Sequence, residues 1–526
     1  MVEVNRRVVI GSDGEGLAGY AELVGEIMAR DDTGLYLCGG HVHVLRRTSA
    51  GSVEFDIARG GKIAAILQDA RRTGRYVAAE DKNGKPKMLP DPVIRLAMET
   101  FRDIAREEKR IVYARTKFPI MVRSAAGKWS AFKHKDAGVH VGVFVSPDAR
   151  YVDVPDVASE EQFKKLVGTV MRPFREFEFA DKRHKALVLA AVLMACTRTT
   201  MRSAPAVMIE APIPRSGKTL FAETLGMLTP NRDDDGSIAT SIPDKEEELE
   251  KKLAAFAGDG SDAVLFDNLR SGLYSAALES LVTAGTVTVR PMGQNDAMVT
   301  REFRALLMFT GNNASVSDDM RRRSLNIRID AKTGRPQDIR HDFDPREKAT
   351  EMRGEIAAAA IGLLEFGQTG DVQREQWMRD VSPDFADLIA PVIRLACDAM
   401  PGSFEWPDKV VDEALSDKGG GAVVEAILRG FVDSPHLIAQ AEKTMRVADM
   451  LVMPPFSTVR DMLEGRQPPQ RYNANTLGRF LQKLRDNPSD LGTLRRVKKS
   501  QARDTVGWRV EFSDAFRAII VEKDSN

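Results

Sequence analysis

Cysteine is scarce in this chain. The 526 residues include three cysteines, Cys38, Cys196 and Cys397, which lie too far apart to form a metal-ligand or disulfide pattern. The sequence therefore shows no sign of a disulfide framework or of a cysteine-ligated metal site. It is typical of a protein of the reducing cytoplasm, where we expect this chain to be located.

Long apolar runs are also absent. The longest run, Leu187 to Cys196, has 10 residues and lies between Lys185 and Arg198. A helix needs about 20 apolar residues to cross a bilayer, so this run is too short. The first residues lack the apolar core and cleavage site of a signal peptide. We therefore expect a buried helix at 187–196 and no membrane partner.

The chain has no excess of charge of either sign. Lys and Arg together number 76, as do Asp and Glu, so the formal net charge is zero. This balance excludes a uniformly basic coat for nucleic acid, although local basic patches can still bind it. Hydrophobic residues make up 43% of the chain, which is enough for large cores. Its length is typical of roughly three domains of about 100–200 residues each.

The sequence does contain a phosphate-binding pattern near its middle. The apolar run 206–209 predicts a strand, and residues 211–220 (APIPRSGKTL) predict a tight loop and the start of a helix. In such a loop, backbone N–H groups point at phosphates, Lys218 reaches the β- and γ-phosphates, and the Thr219 hydroxyl holds Mg²⁺. The predicted ATP-binding residues are Pro212, Arg215, Ser216, Gly217, Lys218, Thr219 and Leu220. A chance loop with a solvated lysine is the alternative interpretation.

Two more apolar strands end in polar residues. Residues 263–266 lead into Asp267 and Asn268, and residues 305–310 lead towards Asn312. The carboxyl ends of parallel strands meet at one edge of a sheet, where ligands bind. Asp267 would then hold Mg²⁺ opposite Thr219, and the Asn312 amide can hold the attacking water or the γ-phosphate.

A predicted hairpin and an arginine cluster accompany these strands. Alternating residues at 287–299 predict a β-hairpin whose tip lies near residues 293–295. The arginines at 321–323 form either a surface patch or an arginine finger for a neighbouring subunit's nucleotide. Such a finger is worth roughly 10³–10⁵ in rate.

In this order, the motifs of residues 163–364 resemble the AAA+ helicase core of superfamily 3. They resemble more closely the primase–helicase type ATPases of phages, plasmids and integrated elements. The resemblance implies an α/β fold in which a P-loop AAA+ core with a central parallel sheet joins a mixed α+β N-terminal region and a C-terminal helical and winged-helix part. It implies ATP and Mg²⁺ as cofactors and DNA as a partner, single-stranded or as an origin duplex. It also implies a homo-oligomeric ring such as a hexamer, with a primase or other replication proteins as further partners.

The resemblance also implies roles for single residues. The catalytic residues it implies are Lys218, Asp267, Asn268, Asn312, and Arg321 or Arg322. Asn312 would be the sensor amide, and one of the two arginines would act on the neighbouring subunit's nucleotide. Arg290, Gln294 and Asn295 of the hairpin would face DNA in the channel of the ring. A buried turn between core strands is the alternative for this hairpin.

Two positions depart from the family pattern. Pro212 replaces the first glycine of the phosphate loop, and Asn268 stands where many relatives have the glutamate that polarises water. An amide cannot accept a proton as a carboxylate does. Turnover is then slow, or the general base comes from elsewhere in the protein.

The C-terminal part has a basic segment of its own. An amphipathic helix at 476–486 is followed by a strand, a basic stretch and another strand, which resembles a winged helix-turn-helix. The predicted DNA contacts here are Arg495, Arg496, Lys498, Lys499 and Arg503. A solvated basic hairpin on a small packing domain is the alternative.

These patterns predict four regions. They are an α+β region without an assigned role at 1–154, the ATPase core at 155–366, a helical region at 367–453 and the winged-helix DNA-binding domain at 454–526. We expect an ATP-dependent DNA helicase or DNA-stimulated ATPase that serves replication of a phage or integrated mobile element. The alternative is an ATP-gated, initiator-like protein that binds an origin and unwinds little.

Overall fold

A computed structural model provides the three-dimensional structure. It describes residues 8–10, 24–25, 28–29, 33–48, 52–68, 77–80, 83, 85–105, 107–149, 151–211, 216–232, 238–243, 245–269, 275–289, 298–311, 317–330, 342–369, 376–407, 422–443, 445–457, 459–460, 472–483, 488–489, 492–498, 506–514, 516–517 and 519–520. Among these residues, no helix combines the length and the apolarity that a membrane crossing needs.

In the described part of the N-terminal region, short strands accompany two helices whose bounds are defined. Its elements are β1 Val8–Ile10, β2 Leu35–Cys38, β3 His41–Arg47, β4 Val53–Ile57, α1 Gly60–Gln68, β5 Val77–Glu80, β6 Pro86–Lys87, α2 Asp91–Ile104, β7 Ile111–Val112, β8 Ala114–Thr116, β9 Ile120–Arg123, β10 Trp129–Phe132, β11 Gly138–His140 and β12 Val143–Val145. The strand pair β2–β3 is antiparallel, and Gly39 and Gly40 form its turn with positive φ.

The middle of the chain alternates helices with strands. Its elements are α3 Glu160–Met171, α4 Lys182–Thr197, β13 Ala206–Glu210, α5 Lys218–Gly226, β14 Ala239–Thr240, α6 Glu246–Asp259, β15 Ala263–Leu269, α7 Ala276–Ala284, β16 Thr286–Val289, β17 Val299–Glu302, β18 Leu306–Gly311, α8 Asp318–Arg322, β19 Ser324–Arg328, α9 Pro345–Phe366, α10 Pro383–Leu388 and α11 Ala390–Ala399. This alternation is typical of an α/β fold with a parallel sheet.

Five of these strands form one parallel sheet. Their order is β14-β15-β18-β13-β19, and every neighbouring pair is parallel. The inner strands β13 and β18 are buried at every residue, as expected for a sheet with helices on both faces. Because the strands are parallel, their carboxyl ends, which include Glu210, Asp267 and Gly311, lie at the same edge.

One hydrophobic core surrounds this sheet. The run that predicts a buried helix lies in α4, where every residue from Ala186 to Thr197 is buried. Helix α9 adds Ile356 and Leu364, and helices α10 and α11 contribute Phe385 and Ile393 to the same core. The core therefore continues beyond the end of α9, where the sequence predicted a boundary between regions.

The C-terminal part forms a hydrophobic core of its own. Its elements are α12 Ala422–Val432, α13 Ile438–Ala441, β20 Met445–Arg446, α14 Val447–Met450, α15 Ala474–Lys483, β21 Pro488–Ser489, β22 Gly492–Lys498 and β23 Val506–Phe512. The strands form an antiparallel sheet in the order β20-β23-β22-β21. Ile427, Trp508 and Phe516 share one cluster, so the boundary predicted at residue 454 falls inside this core.

Candidate nucleotide site

The candidate site begins where β13 ends and α5 starts. Gly217 is the N-cap residue of α5 and adopts a left-handed conformation with φ +82°. A Cβ atom at this position would lie 3.2 Å from Cε1 of Phe177. Both the backbone conformation and the close ring favour glycine here. The predicted helix after the loop is confirmed, since α5 covers residues 218–226.

An aromatic cluster holds the first turn of this helix in place. Phe221 of α5 packs against Phe174, with ring centroids 5.1 Å apart, and against Phe177 at 5.3 Å. Phe179 lies 6.0 Å from the same ring. Aromatic pairs at these distances add stability beyond the area that they bury. The start of α5 is therefore anchored by residues that precede the sheet in the chain.

Three side chains meet at the carboxyl edge of the sheet. Thr219 donates a hydrogen bond to Oδ1 of Asp267 at 2.9 Å. Thr310, at the end of β18, donates to the same carboxylate oxygen. The sequence placed Thr219 and Asp267 opposite each other as ligands of one ion, and the structure brings their side chains together.

Asn268 adopts an unusual backbone conformation beside this carboxylate. Its φ is +56°, and the pairing of β15 with β18 shifts register between Phe266 and Leu269. The backbone N–H of Asn268 donates to Oγ1 of Thr310 at 2.8 Å. Asparagine tolerates the left-handed region better than most residues, and such strain is common at functional sites. The bulge leaves the Asn268 side chain exposed.

The charge of Lys218 faces the same carboxylate. Partial burial lowers the pKa of Lys218 below its usual range, and the nearby negative charge of Asp267 opposes that shift. Lys218 directly precedes Thr219, whose hydroxyl contacts Asp267, and the interaction of the lysine charge with this carboxylate is attractive. A lysine, a hydroxyl and a carboxylate therefore converge on the end of one helix and one strand.

The hard oxygen donors at this edge fit Mg²⁺. Among the described residues, no three His, Cys, Asp or Glu side chains are placed to share an ion. Mg²⁺ does not need such a cluster, because it is usually held by one or two carboxylates together with water and substrate phosphates. The oxygens of Thr219 and Asp267 are of the right type for that arrangement.

The structure describes some of the remaining predicted site residues and not others. Ser216 is buried and Leu220 is half-buried next to Lys218 and Thr219. Pro212, Arg215 and Asn312 lie outside the described residues, as do Arg290, Gln294, Asn295, Lys499 and Arg503. The paired strands β16 and β17 confirm the predicted hairpin, although its tip is among those undescribed residues. Arg495, Arg496 and Lys498 lie within strand β22.

The three consecutive arginines have different environments, and one prediction needs correction. Arg321 is 2% exposed, and its Nη2 lies 3.7 Å from Oε1 of Glu210 in the same chain. It is therefore not available to reach a neighbouring subunit, because its side chain is buried within its own chain beside Glu210. Arg323 pairs with Asp319 at 2.9 Å. Arg322 is exposed and is the one of the two candidate fingers that faces outwards.

Two residues of the site were missed at the sequence level. Thr310 belongs to the run 305–310, which predicted a buried strand without a role for its last hydroxyl. The sequence shows only a hydroxyl near the end of an apolar run, and the placement of β18 beside β15 gives that hydroxyl its role. Glu210 ends β13 immediately before the phosphate loop, and a charged residue there interrupts an otherwise apolar strand. Its partner Arg321 is brought to it by the tertiary structure alone.

Comparisons with known proteins show distant likenesses. No family model and no curated protein matches the chain. The solved structure "SCCmec type IV Cch - active helicase" is 10% identical, with 92% of each chain covered and a TM-score of 0.35. The apo NrS-1 C-terminal region is 11% identical, covering 91% of this chain and 96% of that chain, with a TM-score of 0.32. The JCV helicase is 14% identical, covering 51% of this chain and 71% of that chain, with a TM-score of 0.18. At TM-scores this low, these likenesses carry no argument about function.

Proposed function

We propose that this chain is an ATP-hydrolysing DNA helicase of the AAA+ superfamily 3 type, which acts in the replication of a phage or integrated mobile element. The observation that carries the proposal is the contact of 2.9 Å between the Thr219 hydroxyl and the Asp267 carboxylate. These residues come from a helix start and a strand end that lie far apart in the sequence. A Mg²⁺–nucleotide site of this class needs this pair of oxygens in one place.

The phosphates are held by the start of α5. The first N–H groups of a helix have no partner within the helix, and the helix dipole favours negative charge at this end. Gly217 lets the backbone enter the helix in a left-handed conformation. Lys218 adds a positive charge that is already partly removed from water, which strengthens its attraction for a phosphate.

Thr219 would hold the Mg²⁺ ion through its hydroxyl, and Asp267 through its carboxylate. Mg²⁺, when bound with the nucleotide, neutralises charge that develops on the phosphates. Thr310 donates to the carboxylate of Asp267 and fixes its orientation, as residues behind a metal ligand commonly do. The amides of Asn268 and Asn312 are the candidates for positioning the attacking water.

The remaining parts complete a ring-shaped motor. ATP binds between subunits, and Arg322 of the neighbouring subunit stabilises the transition-state charge. The hairpin β16–β17 carries Arg290, Gln294 and Asn295 towards single-stranded DNA in the channel. The basic residues of 495–503 bind duplex phosphates as part of a winged helix. A hexamer is the ring that the family resemblance favours.

An ATPase and strand-displacement assay tests the proposal. The wild-type chain should hydrolyse ATP in a Mg²⁺-dependent and DNA-stimulated manner and should separate a forked duplex. Lys218→Ala should abolish both activities. Lys251→Ala is the matched control, because Lys251 is an exposed lysine of α6 with surface ion pairs. Absence of DNA-dependent hydrolysis in the wild type, or equal activity in Lys218→Ala, contradicts the proposal.

A second candidate function rests on Asn268. An exposed amide stands where many relatives have the glutamate that polarises water. Because an amide does not accept a proton as a carboxylate does, hydrolysis would be slow and ATP would stay bound. The chain would then use ATP to assemble on an origin duplex, as an initiator does, and would unwind little. ATP-dependent protection of duplex DNA in a footprint, without strand separation, supports this alternative over the helicase.

A further inference from the structure

The short helix α8 is fixed to its surroundings on several sides. Ser317 caps the helix by accepting a hydrogen bond from the N–H of Met320 at 3.0 Å, and its own hydroxyl donates to Glu279 of α7. The carbonyl of Met320 accepts from Ser324 at 2.8 Å. The carbonyl of Arg321 accepts from Asn326 at 2.8 Å. A helix of five residues has little stability of its own, so these attachments determine where it lies.

Two arginines, Arg321 within α8 and Arg323 directly after it, also attach this helix to its surroundings. Arg323 pairs with Asp319 within the segment and also donates to the hydroxyl of Thr283 in α7. Arg321 points inwards and pairs with Glu210, the last residue of β13 before the phosphate loop. Glu210 is 9% exposed, so this pair lies in a region of low dielectric. The pair joins α8 directly to the strand that leads into the nucleotide site.

Arg322 differs from both neighbours. It is exposed, and no hydrogen bond or ion pair joins its side chain to another described residue. Successive residues of a helix point in different directions, so burial of Arg321 and exposure of Arg322 follow from the same orientation of α8. The pair of Arg321 with Glu210 therefore helps to hold the helix orientation that directs Arg322 to the surface.

We propose that Arg321 is a positioning residue that, through its pair with Glu210, holds α8 so that Arg322 reaches the nucleotide of the neighbouring subunit. The inference rests on the proposed ATPase function. If that function holds, Arg321 acts inside its own subunit and Arg322 acts at the subunit interface. Through this pair, strand β13, which precedes the subunit's own phosphate loop, is connected to Arg322, which acts on the nucleotide of the neighbouring subunit.

Steady-state kinetics provide the first test. Arg322→Ala should lower kcat by roughly 10³-fold or more, as loss of an arginine finger does. Arg321→Met should lower kcat by about 10²-fold, the loss that follows a displacement of about 1 Å, with the KM for ATP little changed. Arg321→Lys should retain more activity because it keeps the charge beside Glu210. Arg95→Ala, at an exposed arginine of α2, is the control.

A double variant separates positioning from stability. Arg321→Met leaves the buried carboxylate of Glu210 without this charged partner, which lowers the melting temperature. Adding Glu210→Gln removes that charge and should raise the melting temperature again, while kcat stays low. Recovery of kcat together with stability would show that Arg321 only supports the fold, and it would overturn the proposal.

Mixed oligomers give the decisive experiment. Lys218→Ala subunits cannot hydrolyse ATP themselves, but they carry an intact α8. Mixing them with Arg321→Met subunits should restore hydrolysis, because the intact Arg322 then faces a functional site across the interface. No restoration would show that Arg321 acts on its own subunit's nucleotide and would overturn the inference. A wild-type chain without ATP hydrolysis would instead refute the proposed function, so the two failures are distinguishable.

Discussion

Thr310 donates a hydrogen bond to the carboxylate oxygen of Asp267 that also accepts from Thr219. The Thr310 hydroxyl in turn accepts a hydrogen bond from the backbone N–H of Asn268 at 2.8 Å. A single hydroxyl on the neighbouring strand therefore orients the carboxylate and supports the bulge that follows it. This arrangement makes Thr310 the residue on which the geometry of the proposed metal site depends.

We expect Thr310→Val to weaken the use of Mg²⁺. The Thr310→Val change removes a donor to Asp267 and removes the hydroxyl acceptor of the partly buried N–H of Asn268, at a cost of about 0.5–1.5 kcal/mol. The Mg²⁺ concentration for half-maximal ATP hydrolysis should rise, and Thr310→Ser should restore it. Thr229→Val is the matched control, because Thr229 is also buried and donates to the carbonyl of Gly226. An equal Mg²⁺ requirement in the two valine variants contradicts this expectation.

Gly217→Ala should abolish ATP binding. The left-handed conformation costs a residue with a Cβ atom roughly 1–2 kcal/mol, and the new methyl group would press against Phe177 at 3.2 Å. Gly260→Ala is the control, because Gly260 has φ +67° and no described atom within 4 Å of the added Cβ position. Both variants should lose some stability in thermal melts. In a fluorescent-nucleotide titration, only Gly217→Ala should lose affinity, and equal affinities would count against the site.

Asn268→Asp should increase the rate of ATP hydrolysis. Aspartate tolerates the left-handed conformation of this position and supplies a carboxylate that can accept a proton. Asn268→Ala has neither property, so it should be less stable than the wild type and should hydrolyse ATP no faster. Single-turnover hydrolysis under saturating ATP measures the difference. If Asn268→Asp is as slow as the wild type, the amide does not limit turnover and the base comes from another residue.

The stability of the N-terminal sheet should fall in mild acid. His43 is buried, its ring stacks on Phe55 at 4.9 Å, and its Nδ1 lies 3.2 Å from the carbonyl of His41. Burial lowers the pKa of His43 to about 4. The hydrogen bond between its ring and the His41 carbonyl opposes this shift, the charges of Arg115 and His41 add to it, and Asp56 opposes it. The unfolded chain, with the ordinary pKa of 6.5, binds a proton that the folded chain does not. The stabilisation is therefore complete above pH 6.5 and is lost as the pH falls towards 4.

His43→Phe tests this linkage. The ring can still stack, but it no longer titrates, so the melting temperature should fall less between pH 7 and pH 5 than in the wild type. His436→Gln, at an exposed histidine, is the control and should behave like the wild type. Identical acid sensitivity of His43→Phe and the wild type would show that another group controls stability in this range.

Much of the α/β core could be predicted from local pattern. The apolar run 206–209 lies in β13, residues 263–266 lie in β15, and residues 187–196 lie in a buried helix. Each of these segments is specified by its own apolar residues and by the glycine or polar residue that ends it. The convergence of Thr219 and Asp267 could be predicted because parallel strands carry their ends to one edge.

The sequence could not assign the arginines. Arg321 and Arg322 are adjacent and chemically identical, and either fitted the finger role. Their difference depends on Glu210, which lies more than a hundred residues earlier in the chain and reaches α8 only through the order of the strands. The same applies to Thr310, whose hydroxyl has a role because β18 lies next to β15.

The sequence by itself determined where the main strands and helices of the core lie, and that a threonine and an aspartate meet at one edge of the sheet. Those features follow from the chemistry of neighbouring residues, which acts locally. The tertiary structure alone decided which arginine is buried, which hydroxyl supports Asp267, and how α8 is joined to the strand before the phosphate loop. Such partnerships depend on the strand order of the sheet and on helix packing, because these bring distant residues within bonding distance.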